Sequence, residues 1–132
     1  MPTIPDKFLD LMTQKIPLAS LATVMPDGSP QVTPVWFDWH DGKVRVNTAR
    51  GRVKDKNMSR DPHVALAIVD PDNPYRHIAI RGKVTAAIEK GADAHIDSLA
   101  KKYLGKDTYP FRRPGEVRVT YEIEPISFTE MG

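Results

Sequence analysis

Two short turns, Pro26-Asp27-Gly28 and Asp41-Gly42, constrain this chain more than any other feature. Each separates strand-like runs: Leu18 to Val24, Gln31 to Trp39, and Lys43 to Thr48, the last with alternating Val44 and Val46. Proline presets φ and glycine accepts positive φ, so Asp-Gly between such runs predicts a hairpin. The first three strands are therefore expected as an antiparallel meander. Pro30 and Pro34 have no N–H to give to a ladder, so the middle strand should be interrupted, or lie at an edge, near Pro34.

The remainder continues in short elements. Phe8, Leu9, Leu11 and Met12 fall at helical spacing within Pro5 to Met12. Val53 to Arg60 reads as a short helix stopped by Asp61-Pro62. Val64 to Val69 is apolar at every position, which predicts a central strand buried on both faces. Pro71 to Pro74 is expected as a loop, and Ile78 to Ala86 as a long strand bent at Gly82. Ala92, Ile96, Leu99, Ala100 and Tyr103 form one face of the longest helix, with Gly105 placed to end it. Tyr109 to Gly115 reads as an irregular loop, before a half-buried strand through Val117, Val119, Tyr121 and Ile123. About six antiparallel strands with three helices give a mainly β fold with peripheral α, closed or split as a barrel, in a single domain spanning 1–132.

Charge is distributed unevenly. The chain nets +2, yet Lys43 to Arg60 holds seven basic residues against Asp55 alone, a local +6 that leaves −4 elsewhere. A compensated local patch fits a small anionic ligand better than a long polyanion, so no nucleic-acid partner is expected. The four histidines are far apart in sequence and there is no cysteine, so no metal site is expected, and a reducing cytoplasm fits. No apolar run approaches the roughly 18 residues of a membrane span, and the N-terminus has no signal-peptide pattern. Rossmann, Walker, zinc-protease and serine-hydrolase motifs are all missing. Asp93 and Asp97, one turn apart, read as a solvated helix face, and His95 beside them as surface.

The chemistry concentrates where a strand runs through Asn47-Thr48-Ala49 into the Arg50-Gly51 turn and a helix opens with Arg52 and Lys54 in its first turn. Helix starts expose free N–H groups and a positive dipole, so cations there are unfavourable unless an anion such as a phosphate joins them. The alternative is an ordinary charged surface helix. Gln31, Thr33 and Asn47 offer short polar side chains to a flat heterocycle. Trp36, Phe37 and Trp39 fill the barrel or stack on such a ring.

Four segments in order carry a family likeness. They are Pro26-Asp27-Gly28-Ser29-Pro30-Gln31-Val32-Thr33-Pro34-Val35-Trp36 after the first strand, Asn47 through Asn57, Arg60-Asp61-Pro62-His63-Val64, and Arg81-Gly82-Lys83-Val84. Over nearly its whole length the chain resembles the pyridoxamine 5′-phosphate oxidase-like split β-barrel family. Within it, the chain is most similar to the flavin/deazaflavin oxidoreductases of group B, which use coenzyme F420. The resemblance implies an FMN-binding-like split barrel and a homodimer with two cofactor sites at the subunit interface. Arg52 and Lys54 would hold the cofactor phosphate, supported by Asn57. Asn47, Thr48 and Arg50 would line the ribityl and phosphate path. Gln31, Thr33 and Pro34 would lie along the ring, while Tyr75 and Arg76 would reach in from the next loop, Arg76 toward the acidic tail of F420. Relatives that bind FMN make FMN the alternative cofactor.

The implied activity is hydride transfer between the deazaflavin and an unsaturated small-molecule substrate. Position and electrostatics would be the protein's contribution, so no catalytic side chain is assigned. Tyr109 to Arg113 is a candidate substrate lid. Other readings are a non-catalytic F420 or FMN carrier, an FMN-dependent oxidase, and an oligonucleotide-binding barrel.

Overall fold

The computed structural model describes residues 3–132. Seven strands form one antiparallel sheet in the order β2-β1-β5-β6-β7-β4-β3. They are β1 (Ala19–Val24), β2 (Pro30–Val35), β3 (Asp38–His40), β4 (Lys43–Ala49), β5 (His63–Asp70), β6 (Asn73–Ile88) and β7 (Arg118–Met131). The helices are α1 (Leu9–Thr13), entered through a 3-10 turn at Asp6–Phe8, α2 (Val53–Arg60) and α3 (Ala92–Leu104).

Both expected hairpins are present, but the meander is not. The run expected as one returning strand breaks at Trp36-Phe37: β2 pairs with β1, while β3 pairs with β4. These halves lie at opposite edges of the sheet, so the break supplies the seventh strand and carries the chain between the edges. The β3–β4 turn has Asp41 at φ 51° and Gly42 at φ 74°, positive at both central residues as a right-twisted two-residue hairpin requires. Asn73 pairs directly with Asp70, so the expected loop at Pro71 to Pro74 is a tight turn instead.

Curvature comes from β6 and β7, whose pairing slips at Arg81/Gly82 and again between Val84 and Ala86. Gly82 sits at the first slip, where a Cβ would lie 2.6 Å from Ile123 Cγ2. Leu21, Phe37, Val46, Leu66, Ile80, Tyr121 and Ile123 fill the interior. Phe8, Leu11 and Met12 of the N-terminal helical segment join the same core, as does Met58 of α2.

The third helix lies outside the barrel, against β7 and β4. Ala92, Ile96, Leu99 and Ala100 are buried on that face, together with His95. His95 is therefore interior rather than surface. Positions 92, 95, 96 and 99 share one side of a 3.6-residue period, and the neighbouring acids Asp93 and Asp97 obscured this in the sequence. β5 is central as expected, but only Val64, Leu66 and Ile68 are buried on it; Ala65 and Ala67 remain half-exposed and Val69 is exposed.

Candidate functional site

The basic turn is less uniformly basic in space than along the chain. Arg45 makes a two-point contact with Asp38, at 2.8 and 2.7 Å. Arg50 bonds Glu89 at 2.9 Å and Asp55 at 3.0 Å. Lys43 bonds the Thr85 hydroxyl, and Arg60 the Val24 carbonyl and Asn57. Lys56 lies on the exposed side of α2.

Arg52 is the residue capping α2, in extended conformation, rather than part of its first turn as expected. Asp55 answers some of the helix's need for negative charge. Its carboxylate accepts the Gly51 amide at 2.9 Å and the Tyr121 hydroxyl at 2.6 Å. Burial alone would raise the Asp55 carboxyl, but Tyr121, the Gly51 amide and Arg50 outweigh it and hold it below the usual range.

Lys54 is left over. It is half-buried, and among the described residues it has no carboxylate partner. Burial pushes its ammonium down, and the nearby cations Arg52 and Arg118 push the same way. Arg118 opens β7 opposite Ala49, with its side chain only 3% exposed. It donates to Asn47 Oδ1 at 2.9 Å and to Glu116 Oε1 at 3.0 Å, and lies 5.1 Å from the Tyr109 ring centroid. Arg52, Lys54 and Arg118 thus form a cation cluster. Arg118 was missed in the sequence because strand alternation placed it outward, and that outward side lies under α3. The signal available was the apolar face of α3, which needed a strand surface to cover.

Asn57 points into the barrel, donating to Thr23 Oγ1 at 3.0 Å, and Thr23 Oγ1 lies 3.3 Å from Gln31 Oε1. The structure thereby links Asn57 on α2 to Gln31 on β2. Thr33 shares the inward face of β2 with Gln31, as their pairing with Leu21 and Thr23 requires. Thr33 Oγ1 and Thr48 Oγ1 are buried without a hydrogen-bond partner among the described residues, an arrangement that ordinarily costs stability. Pro34 points the other way, into the open on the outer face.

Three further expected residues lie apart from this group. Asn47 is on the outer face of β4, beneath α3, donating to the Ala92 carbonyl at 2.8 Å and approaching His95 Nδ1 at 3.2 Å. Its amide is fully engaged, so Asn47 supports Arg118 rather than facing open space. Arg76, at the start of β6, is tied to Asp10 at 2.6 Å and Asp70 at 2.9 Å. Its side-chain bonds to those carboxylates raise its affinity for the proton. Tyr75 beside it is 75% exposed.

Of the aromatic residues, Phe37 is fully buried in the core. Trp36 stacks on Tyr103 at 5.4 Å and meets Tyr109 edge-on at 6.0 Å. The Tyr109 to Arg113 loop is fastened to α3. Asp97 accepts the Tyr109 amide at 2.8 Å, and Arg112 bridges Asp97 at 2.6 Å and Asp93 at 3.0 Å. Asp93 and Asp97 thus clasp this loop.

The outer face of the sheet carries a different feature. Pro34, Ser20, Ala67, Ala79 and Thr129 form one cross-strand row in register. Ser20, Ala67, Ala79 and Thr129 of this row, with the neighbouring row, line a mostly apolar groove of about 260 Å³. Small residues in register make a surface that a second sheet can approach closely.

The pyridoxamine 5′-phosphate oxidase family profile matches residues 4–131. This chain belongs to that family. The family is of the oxidoreductase type and binds flavin-type cofactors. A solved structure described as an F420 reductase is 32% identical, with 96% of this chain and 98% of that one covered and a TM-score of 0.83. A conserved hypothetical protein from Mycobacterium tuberculosis is 22% identical over 98% of this chain and 85% of its own, TM-score 0.75. A putative pyridoxamine 5′-phosphate oxidase from Listeria innocua is 22% identical over 95% of each chain, TM-score 0.70. The latter two share the fold. No curated protein matches the chain. Among the described residues, no helix is long and apolar enough to cross a membrane, and no group of three or more His, Asp or Glu is placed to hold a metal.

Proposed function

We propose that this protein binds coenzyme F420 and transfers a hydride between the deazaflavin and an unsaturated small molecule. One observation carries the reading: Lys54, half-buried between Arg52 and Arg118, lacks a carboxylate partner among the described residues. A desolvated ammonium crowded by two guanidinium groups is unfavourable until an anion joins it, and the cofactor's phosphate is such an anion. The 32% identity to a structure described as an F420 reductase favours the deazaflavin over FMN, which is the alternative.

Arg52 and Lys54 would hold the phosphate, with Arg118 behind them. Asn57 would fix α2 against β1 through Thr23, while Gln31 and Thr33 present polar groups to the ring. Thr33's unpartnered hydroxyl is suited to that role. Arg50 would act at one remove, by holding Asp55, and Asn47 by holding Arg118. Thr48 would back this end of β4 from inside the barrel. Once bound, the deazaflavin supplies the redox chemistry. The protein's own task is to fix the donor carbon against the acceptor and exclude water.

A homodimer is part of the proposal. The small-residue outer face, with Pro34 on it, is the surface we assign to the second copy, whose exposed Tyr75 would approach the cofactor site. Arg76 is committed to Asp10 and Asp70, so its part is to anchor the N-terminal helix near Tyr75. The lack of cysteine fits a reducing cytoplasm.

Titration of the purified protein with F420 and with FMN, followed by tryptophan quenching, tests the cofactor. Tighter binding of F420 is expected; a clear preference for FMN would replace the deazaflavin reading. Lys54→Ala should weaken F420 binding by about 1.5–3 kcal/mol, the range for hydrogen bonds to charged groups.

A further inference from the structure

Glu116 sits inside the cation cluster. Its side chain is 6% exposed. Oε1 accepts from Arg118 at 3.0 Å, while Oε2 lies 3.5 Å from Arg52 Nη2. These two arginines are the cations that press on Lys54. A carboxylate therefore already stands between two of the three positive groups assigned to the ligand's phosphate, an assignment this inference rests on.

We propose that Glu116 is an internal stand-in for that phosphate, occupying the cluster when no ligand is bound and leaving when one arrives. Three features fit the role. First, its contacts are unequal. The bond to Arg118 is good, but the one to Arg52 is at the limit of a hydrogen bond, and Lys54 receives nothing, so one carboxylate under-serves three cations. A phosphate offers more acceptor oxygens and as much charge or more, so it competes well for the same donors.

Second, the cluster survives its departure. Arg118 keeps Asn47 at 2.9 Å and the Tyr109 ring, so the guanidinium stays in place without Glu116. Third, the chain around Glu116 can turn. It closes a tight turn through its own amide to the Arg113 carbonyl at 3.2 Å, with Gly115 at φ 74° just before it. The flanks are held: upstream Arg112 and the Tyr109 amide are fixed to α3, and downstream the Val117 carbonyl accepts the Arg50 amide at 2.8 Å. Movement is thereby confined to the turn from Arg113 to Glu116.

Such a device would raise the threshold for anions entering the site. It would also link phosphate arrival to the loop whose Tyr109 touches Trp36.

Calorimetric titration with inorganic phosphate at low salt tests the assignment on four proteins: wild type, Glu116→Gln, Glu116→Ala and Lys54→Ala. Glu116→Gln keeps an acceptor for Arg118 and removes only the charge, so its fold is preserved. Removing a like charge a few ångströms from the incoming anion should tighten phosphate binding by about tenfold, and Glu116→Ala should shift it in the same direction. Lys54→Ala should weaken binding by about tenfold or more. Weakened binding in Lys54→Ala combined with unchanged or weaker binding in Glu116→Gln would overturn the stand-in role: Glu116 would then merely orient the arginines, and the anion site would remain. Unchanged binding in Lys54→Ala would remove the site itself, and the role of Glu116 with it.

Discussion

Two groups of positive charge in this molecule differ in how fully their charge is answered. At the corner between α1, β5 and β6, Arg76 and Lys15 meet Asp10, Asp70 and Asp72, all within 3.1 Å. At the start of α2, Arg52 and Arg118 share Glu116, and Lys54 has no carboxylate partner among the described residues. The first corner is electrostatically complete and holds the N-terminal helix to the sheet. The second is incomplete. What separates the structural cluster from the proposed ligand site is therefore unmet demand, not the number of cations.

The sharpest way to break this contrast is a pair of substitutions. Lys54→Ala should lose about 1.5–3 kcal/mol of F420 affinity and leave the thermal midpoint nearly unchanged. Arg76→Ala should do the reverse, lowering the midpoint clearly while F420 binds as before, because its loss removes the guanidinium from the Asp10 carboxylate and one of two cationic partners from the buried Asp70. If both variants lose affinity equally, the two clusters are not functionally distinct.

Asp55 connects the incomplete cluster to the core through Tyr121. Tyr121→Phe removes the hydroxyl that reaches Asp55 at 2.6 Å and Ser59 at 2.9 Å. It should cost about 1–3 kcal/mol in urea denaturation, since the Asp55 carboxylate loses a buried donor. A neutral outcome would show that Arg50 and the Gly51 amide suffice for Asp55.

Acid should reveal the complete corner. The Asp10 and Asp70 carboxyls are both held below their ordinary range, chiefly by their bonds to Arg76 and Lys15 respectively. Their contribution is present above the unfolded carboxylate value near about 3.9 and is lost as pH falls below it. Arg76→Ala should flatten that decline in a series of melts from neutral to acid pH.

The smallest expected effect has the opposite sign. The Lys54 ammonium is depressed, so the unfolded chain binds that proton more tightly than the folded one. Stability should then rise as pH climbs from the folded value toward the ordinary lysine value near about 10.4. Lys54→Met should stabilise the free protein by about 1 kcal/mol or less and abolish this alkaline gain. A destabilised Lys54→Met protein would mean that Lys54 makes a contact the incomplete cluster does not provide for.

Much of the architecture was legible in local chemistry. Asp41-Gly42 announced its hairpin, Asp61-Pro62 ended α2, and Gly105, at φ 70°, ended α3. The break at Trp36-Phe37 was foreshadowed by Pro34, though its destination was not. A proline says where pairing weakens but not which edge the next residues join. At the site, Lys54 and Arg52 could be singled out because their charge conflicts with a helix start. Arg118, Glu116 and His95 could not. Alternation assigns a residue to a face, and only the docking of α3 against β7 and β4 turns that face into an interior. The same limit applied to Arg50 and Arg76, whose carboxylate partners include residues 39 and 66 positions away in sequence.

The crossing at Trp36-Phe37 has a mechanical consequence. In two residues the chain passes from one rim of the sheet to the other, acting as a clasp that keeps the sheet rolled. Phe37 is sunk in the core, and its carbonyl is gripped by Lys102 of α3 at 2.7 Å, so this clasp is riveted at its midpoint. Lengthening it with a few flexible residues would leave every ladder intact yet slacken the whole cylinder, whereas the same insertion at Asp27-Gly28 would pass almost unnoticed.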